Sequence, residues 1–182
     1  MFQLRLTEDA YLRMLERQDA AEVFALTDAS RAHLRRWLPW LDATLRVEDS
    51  EAFIGGTLQQ FAAGRGFQAG IWRGGTLCGI AGLHPIDRAN RQSSLGYWIG
   101  SGHEGQGLVT MACRAILDEA FGHYGLHRME LRAAVGNTRS QAVAERLGFR
   151  REGVVRDAEW LYDHYVDHVI FGLLASEWQI GR

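Results

Sequence analysis

Apolar residues recur at helical spacing near the start of the chain, after a short strand predicted over residues 10–15. Asp19 is a good N-cap, and the first predicted helix runs from it to about residue 30. The arginine-rich residues 31–36 then lead into Pro39, which must end or turn any helix that reaches it. The first third of the chain therefore begins with a strand, a helix and a break.

A second helix is predicted after this break. Asp49 or Ser50 can cap it, and the glycines at positions 64 and 66 stop it. The residues predicted to form its buried stripe are Phe53, Thr57, Leu58 and Phe61.

From Phe67 the hydrophobic period changes from 3.6 to 2, which predicts a β-hairpin that turns at Gly74 and Gly75. The return strand, residues 76–84, consists mostly of small residues, so another group must approach its backbone closely. A third strand is predicted over residues 94–100.

In the second half of the chain, segments with the helical period of 3.6 alternate with segments that have the strand period of 2. We predict a mostly buried helix over residues 108–123, a strand over 129–135, a helix capped by Asn137 or Thr138 and closed by Gly148, and final strands over 149–156 and 165–175. This mixed order is typical of an α+β domain in which helices cover one sheet. Without a linker or an internal repeat, residues 1–182 are interpreted as a single domain.

Composition narrows the classes of function. All 20 basic side chains in the 182 residues are arginine. Enzymes that form a Schiff base, Walker-type phosphate loops and protein kinases all need a lysine amine, so these classes are excluded. A net charge of −2 provides no overall field for a phosphate backbone, and we expect no direct nucleic-acid partner.

Cys78 and Cys113 lie far apart and lack metal-ligand spacing, which favours free thiols in a reducing compartment and predicts no metal site. The longest apolar runs fall far short of the ~20 residues of a membrane helix, and the opening residues show no signal-peptide pattern. We therefore expect a cytoplasmic protein with no membrane partner.

A glycine-rich loop precedes the helix that begins near residue 108. Over Gly105 to Thr110, the first N–H groups of the helix lack intrahelical partners, and glycines let an anion approach the backbone. Such a site needs no lysine. Taken alone, the same residues are explained equally well by a simple tight turn.

Three motifs occur in register around this loop, and together they resemble the GNAT N-acetyltransferase superfamily, in particular its RimJ/RimL-type ribosomal-protein branch. The motifs are Gly96-Tyr97-Trp98-Ile99-Gly100, Glu104-Gly105-Gln106-Gly107-Leu108-Val109-Thr110, and Asn137 to Ser140 continued by Arg146 to Gly153.

The resemblance implies a single GNAT domain over residues 1–182, with a mixed, mostly antiparallel sheet, about four flanking helices, and strands splayed around an acetyl-CoA site. Acetyl-CoA would be the donor, its diphosphate on the N–H groups of residues 105–110 and its pantetheine arm paired with the strand edge. Backbone N–H groups near Ile99 would stabilise the oxyanion. The residues implied to bind acetyl-CoA are Trp98, Ile99, Glu104, Gly105, Gln106, Gly107, Leu108, Val109, Thr110, Asn137 and Ser140.

This sequence departs from the superfamily pattern at three positions. Glu104 stands where Gln or Arg is usual, and Val109 where Gly or Ala is usual. The tyrosine that many members use to protonate the departing thiolate is Ala144 here. In the RimL-type branch Ser140 is the implied substitute, although a serine in a first helical turn can also simply bond its own backbone.

Two residues are candidates for the general base. The resemblance assigns Glu159, which we expect in a loop before the last strand, with its pKa raised by burial beside Trp160. His84 is the alternative, because an imidazole has a suitable pKa without perturbation. His164 and His168 are interpreted as surface or rim residues.

Trp37 and Trp40 are candidates for a wall that holds the acceptor, with Arg31, Arg35 and Arg36 recruiting an acidic partner. The alternative is that the tryptophans belong to the core and the arginines to a solvated helix face.

The expected activity is transfer of an acetyl group from acetyl-CoA to the N-terminal α-amine of a protein of the ribosomal type, by direct attack of the amine. Two alternatives stay open at this point: acetylation of a small amine such as a polyamine, an amino acid or an antibiotic, and a non-catalytic CoA-binding module. A homodimer is also left open, since a sheet edge and six tryptophans offer surface.

Overall fold

A computed structural model describes residues 3–180, which form one eight-stranded sheet with the order β1-β2-β3-β4-β5-β6-β8-β7. All neighbouring strands are antiparallel except β5 and β6, which are parallel. The strands are β1 (Gln3–Arg5), β2 (Ala10–Met14), β3 (Phe67–Arg73), β4 (Thr76–Leu83), β5 (Gln92–Ile99), β6 (Arg128–Ala134), β7 (Arg150–Leu161) and β8 (His164–Leu174).

Six α-helices accompany the sheet within residues 3–180, and four of them have nine residues or more. They are α1 (Ala20–Ala29), α2 (Arg31–Leu34), α3 (Val47–Ala62), α4 (Leu108–Asp118), α5 (Thr138–Arg146) and α6 (Ala175–Ile180). The predicted α+β class, with a mostly antiparallel sheet and about four substantial helices, is confirmed.

The core has two parts, one on each face of the sheet. On one face α4 contributes Ala112, Cys113 and Ile116, which pack against strands β2 to β6. On the other face α1 and α3 cover Trp72 and Ile80. Helices on both faces therefore bury the central strands and leave the two ends of the sheet more exposed.

The sheet splits between its two parallel strands. β5 and β6 are paired only from Gln92 with Arg128 to Leu95 with Leu131. Beyond that point β5 remains paired with β4 as far as Ile99, and β6 remains paired with β8 as far as Ala134. Within the described residues, the facing edges of residues 96–99 and 132–134 thus leave a fork in the sheet.

Several local predictions need correction. Asp19 is not a side-chain cap for α1; its carboxylate accepts hydrogen bonds from Glu16 N and binds Arg13 in a bidentate pair. Asp49 lies inside the first turn of α3, where its carboxylate accepts hydrogen bonds from the backbone N–H groups of residues 45 and 46. The helix therefore begins at Val47, three residues before the start that a cap at Asp49 would give.

The buried stripe predicted for α3 is right for Thr57 and for Leu58, which packs against the core, and wrong for Phe53 and Phe61. Ser50, Ile54 and Thr57 are buried, whereas Phe53 and Phe61 are exposed. The buried residues follow the spacing i, i+4, i+7. A second row of apolar residues beside them has the same helical period, and the pattern alone does not show which row is buried. Phe53 faces the fork instead.

The close approach predicted for the return strand is confirmed. A Cβ added to Gly79 would lie 2.3 Å from Trp98 O, and one added to Gly82 would lie 2.3 Å from Phe67 O. The neighbouring strands β3 and β5 are therefore the groups that require small residues on β4.

Candidate active site

An open cavity of about 1500 Å³ occupies the fork. It extends from the loop before α4, past the free edge of β5, to the segment after α2 and the inner face of β7 and β8. Among the candidates singled out from the sequence, Arg31, Arg35 and Arg36 do not line it. The candidates that do are Trp37, Trp40, His84, Trp98, Ile99, Glu104 to Thr110, Asn137, Ser140 and Glu159.

One end of the cavity is suited to bind an anion. Gly105 and Gly107 have φ of 72° and 74°, a left-handed conformation that side chains disfavour. Gly107 is the N-cap of α4 and provides no capping side chain, so the first N–H groups of the helix remain available. A Cβ added to Gly105 would meet nothing within 4 Å, which leaves room for a phosphate.

Side chains fix this loop at both ends. Glu104 Oε1 accepts a 2.6 Å hydrogen bond from Arg139 Nη1 of α5 and lies 3.5 Å from His33 Nε2. Gln106 is bound by Arg73, which donates to its Oε1 at 2.8 Å. The side chain of Gln106 thus serves to hold the loop. The negative charge of Glu104, which was unexpected for this superfamily, is compensated by Arg139.

The free edge of β5 presents backbone from Gly96 to Ile99 to the cavity. Side chains alternate along it: Tyr97 and Ile99 pack against the α4 face, and Trp98 packs on the other face. The Trp98 indole lies 6.2 Å from the Trp40 ring, centroid to centroid. At Trp98, therefore, the backbone lies at the free edge of β5 and the side chain does not.

A polar cluster lies where α5 meets β5. Asn137, one of the two caps that the sequence offered, is the N-cap of α5, and its Oδ1 accepts a 3.1 Å hydrogen bond from Ser140 N. Ser140 Oγ lies 2.7 Å from the Tyr97 phenol oxygen. Sequence reasoning placed Tyr97 in a motif but gave it no role, because only the folded sheet brings β5 next to α5.

Glu159 lies within β7 rather than in a loop. Between Val155 and Glu159 the register with β8 shifts, and Asp157 adopts φ of 47°. This bulge directs Glu159 into the cavity, where Oε2 lies 3.5 Å from His168 Nε2. Bulges re-aim side chains in this way next to functional sites.

One expectation about this region is wrong. Trp160 is 51% exposed and packs edge-on against Tyr165, so it does not bury Glu159. Successive residues of a strand point to opposite faces, which separates the two side chains. His168, expected at the surface or rim, lines the cavity beside Glu159 with its side chain 15% exposed.

His84, the alternative base, lies deeper in the cavity. Its Nδ1 is 2.9 Å from Ser94 Oγ, and its ring rests on Gly96, where an added Cβ would lie 2.3 Å from Nε2. Burial lowers the pKa of His84 below its usual value, which favours the neutral imidazole.

The proposed acceptor wall has mixed surroundings. Trp37 packs 3.6 Å from the position of a Cβ on Gly136, and Trp40 packs on Trp98. Arg31 donates to backbone carbonyls after the α2 break, and Arg35 pairs with Asp42 at 2.8 Å. Arg31 and Arg35 therefore hold the segment that carries the two tryptophans, which favours a structural role for these arginines over recruitment of an acidic partner.

A family model described as "Acetyltransferase (GNAT) domain" matches residues 9–150. The chain belongs to this family. A relative named "Putative ribosomal N-acetyltransferase YdaF" in Bacillus subtilis is 36% identical over 180 residues, 98% of each chain. The ribosomal-protein-serine acetyltransferase of Escherichia coli is 26% identical over 164 residues, 90% of this chain and 92% of that protein.

Among solved structures, the microcin C7 self-immunity acetyltransferase MccE in complex with acetyl-CoA and AMP matches with a TM-score of 0.89. It is 26% identical, and the match covers 94% of this chain and 95% of that chain. The resemblance to the RimJ/RimL-type branch of GNAT proteins is thereby confirmed, and the protein is an N-acetyltransferase that uses acetyl-CoA. The alternative of a non-catalytic module is not supported.

The residues of this GNAT chain fit acetyl-CoA. The glycine loop offers N–H donors at one end of the cavity, and the free edge of β5 offers an unpaired strand beyond it. Across residues 3–180, no cluster of three or more His, Cys, Asp or Glu side chains is arranged to hold a metal ion. No helix in this part of the chain is long and apolar enough to cross a membrane.

Proposed function

We propose that the protein acetylates the N-terminal α-amine of a protein, of the ribosomal type. The observation that carries this proposal is the shape of the cavity, which is open and about 1500 Å³ in volume. A chain terminus needs such an open approach, whereas a small cation is usually enclosed. The names of the two relatives as ribosomal acetyltransferases support the same acceptor class.

The charges around the cavity also favour this acceptor over a polyamine. Three carboxylates line it, but three arginines and four histidines do so as well. A site for a polycation is expected to carry a surplus of carboxylates. The lining groups are Asp49, Glu104 and Glu159; Arg132, Arg139 and Arg146; and His33, His84, His103 and His168.

Glu159 is proposed as the general base. It removes a proton from the acceptor ammonium, and the amine then attacks the thioester carbonyl directly. An α-amine has a pKa of about 7.7 to 8.0, so a carboxylate is an adequate base near neutral pH. His168, 3.5 Å from Glu159, lies where it can pass that proton towards solvent. His84 is the alternative base.

Collapse of the tetrahedral intermediate completes the transfer. The nitrogen of the intermediate gives up its second proton to Glu159, once the first has passed to solvent. The new C–N bond remains, the C–S bond breaks, and its electron pair leaves on sulfur. Backbone N–H groups near Ile99 are proposed to stabilise the oxyanion, and the Ser140 hydroxyl is proposed to stabilise the departing thiolate. Direct attack requires only that the two reactants be held together, so no covalent enzyme intermediate is needed.

For acetyl-CoA itself, Gly105 to Thr110 are proposed to bind the diphosphate through backbone N–H groups, with Glu104 holding Arg139 at its edge. Asn137 would bond the pantetheine arm through Nδ2, since its Oδ1 caps α5. Trp37 and Trp40 would contact the acceptor.

The test is an acceptor screen by mass spectrometry. Purified protein and acetyl-CoA are incubated with ribosomal-protein N-terminal peptides, with the same peptides carrying blocked α-amines, and with polyamines and free amino acids. An acetyl group on the α-amine of unblocked peptides alone is the expected result. Transfer confined to small amines would overturn the proposed acceptor class and leave the acetyltransferase assignment intact.

Two further proposals concern the state of the protein. The buried free thiols Cys78 and Cys113 suit a reducing cytoplasm, and fractionation of cells would test this location. A homodimer would use the outer edge strand β7, where Val154 and Val155 are exposed. Light scattering that gives the mass of one chain at micromolar concentration would contradict it.

A further inference from the structure

Tyr97 contacts Ser140 across 43 residues of sequence, and this contact spans the fork at the point where β5 leaves β6. The phenol oxygen lies 2.7 Å from Ser140 Oγ and 3.3 Å from Ser140 O. The carbonyl lies within α5, where it is an acceptor of the helical ladder. The shorter contact, to Oγ, is therefore the main one.

Donors and acceptors decide the direction of this hydrogen bond. A serine hydroxyl has one hydrogen and two lone pairs, and a phenol likewise has one hydrogen. Burial raises the pKa of the Tyr97 phenol well above its usual value, and Cys113 of α4 raises it further. Tyr97 thus keeps its hydrogen throughout the working range. If it donates this hydrogen to Ser140 Oγ, the serine hydrogen is left to point elsewhere.

We propose that Tyr97 is a positioning residue for the leaving-group step: it donates a hydrogen bond to Ser140 Oγ and thereby turns the Ser140 hydroxyl hydrogen into the fork, towards the sulfur of CoA. Both side chains line the cavity, which makes this orientation available. The inference rests on the proposed role of Ser140, but it does not depend on the identity of the acceptor amine.

The chemistry of the step balances without proton transfer from either hydroxyl. The C–S bond breaks, its electron pair goes to sulfur, and the proton lost by the amine goes to Glu159. The Tyr97 hydrogen is directed at Ser140 Oγ rather than at sulfur, and the raised pKa of the phenol opposes its loss, so Tyr97 is not the acid. The Ser140 hydroxyl stabilises the thiolate by a charge-assisted hydrogen bond, and Tyr97 fixes its direction.

The test measures the pKa of the CoA thiol in the binary complex, from the ultraviolet absorbance of the thiolate. No acceptor is present, so a failure here is distinct from a failure of the acceptor screen. A hydrogen bond to the charged form lowers a pKa. We expect the bound thiol to titrate about one unit below free CoA in the wild type, because such a bond to a charged group is worth roughly 1.4 kcal/mol, a factor of ten.

Four variants complete the measurement. Ser140→Ala is expected to abolish the shift, Tyr97→Phe to remove at least half of it, and the double variant to match Ser140→Ala. Non-additivity of this kind marks two groups acting as one unit. Tyr124→Phe is the matched control: its ring packs on Phe67, 6.3 Å away between centroids, and its loss should leave the thiol pKa unchanged.

Two results would overturn the proposal. If Tyr97→Phe keeps the thiol pKa of the wild type while Ser140→Ala raises it, Tyr97 does not position the serine. An unchanged pKa in Ser140→Ala means that the serine does not contact sulfur.

If Tyr97→Phe does not fold, 3-fluorotyrosine incorporated at all five tyrosines replaces it. The stronger phenol donor should lower the thiol pKa further in the wild type and not in Ser140→Ala. An equal pKa with and without fluorine in the wild type would then refute the proposal.

Discussion

Neutralising Glu104 is expected to strengthen acetyl-CoA binding. Its carboxylate stands directly before the glycine loop that is proposed to bind the diphosphate, and it is 29% exposed. Arg139, which pairs with it at 2.6 Å, is 81% exposed and free to turn towards a ligand. Glu104→Gln removes one negative charge and releases this guanidinium.

The magnitude follows from the separation of the charges. With consecutive Cα atoms 3.8 Å apart, the Glu104 carboxylate lies about 7 Å from a phosphate bound to the next N–H groups. Repulsion from a diphosphate in a water-like dielectric is then roughly 1 kcal/mol. The exposed ion pair that is lost contributes about 0 to 1 kcal/mol to folding and does not enter the binding step directly. Since 1.4 kcal/mol is tenfold in affinity, we expect Kd to fall about 5- to 10-fold.

Isothermal titration with acetyl-CoA measures the change, at low salt and again at 1 M salt. Arg139→Ala should weaken binding by a similar factor, and both effects should largely vanish at 1 M salt, where the Debye length is about 3 Å. Glu152→Gln is the control, because Glu152 pairs with Arg128 and is not among the residues that line the cavity. Weaker binding in Glu104→Gln would show that the carboxylate shapes the loop rather than repelling the ligand.

Three further outcomes are expected. Glu159→Gln should lower kcat/KM for a peptide α-amine by about 10²- to 10⁴-fold near pH 7, and by less above about pH 8, where the amine loses its proton unaided. An undiminished rate in initial-velocity assays would instead assign the role of base to His84. Gly107→Ala forces a side chain into φ of 74°, so the free energy of unfolding measured in urea should fall by about 1 to 2 kcal/mol and acetyl-CoA binding should weaken. Gly56→Ala inside α3 is the control: its added Cβ meets nothing within 4 Å, and it should stabilise the fold. Desolvation lowers the pKa of the half-buried His84, so the unfolded chain binds a proton that the folded chain does not. Stability should therefore fall as the pH drops below about 6.5. His84→Gln should flatten this dependence in urea titrations, and a slope equal to that of the wild type would contradict it.

Most of the fold could be predicted from the sequence because its elements follow local rules. Gly74 and Gly75 turn the hairpin, Gly148 ends α5 with φ of 84°, and Asn137 caps α5 with its side chain. The failures occur where side chains form tertiary contacts. Asp19 has the local pattern of an N-cap, but Arg13 on the neighbouring strand takes its carboxylate. A capping pattern cannot reveal such a competitor.

The cofactor end of the site was accessible to sequence reasoning because it is contiguous. Residues 104–110 form one loop and one helical turn, and the backbone N–H groups proposed to bind the diphosphate do not depend on distant side chains. The acceptor end is different. Phe53 and His168 both line the cavity, yet one was assigned to the core and the other to the rim. Their neighbours across the fork lie on strands that are far apart in sequence.

The absence of lysine links these two ends. With no lysine ammonium group in the chain, the proposed diphosphate site would depend on backbone N–H groups and on arginines, and Arg139 is already paired with Glu104. Affinity at that end is therefore adjustable through one carboxylate. At the other end the proposed chemistry rests on pairs that join separate segments, Tyr97 with Ser140 and Glu159 with His168. The fork brings both pairs into one cavity, because β5 and β6 part while each stays paired with its outer neighbour. A substitution that closed the fork would thus remove binding and catalysis together. Glu104→Gln is instead expected to change acetyl-CoA binding, and Tyr97→Phe to change the leaving-group step.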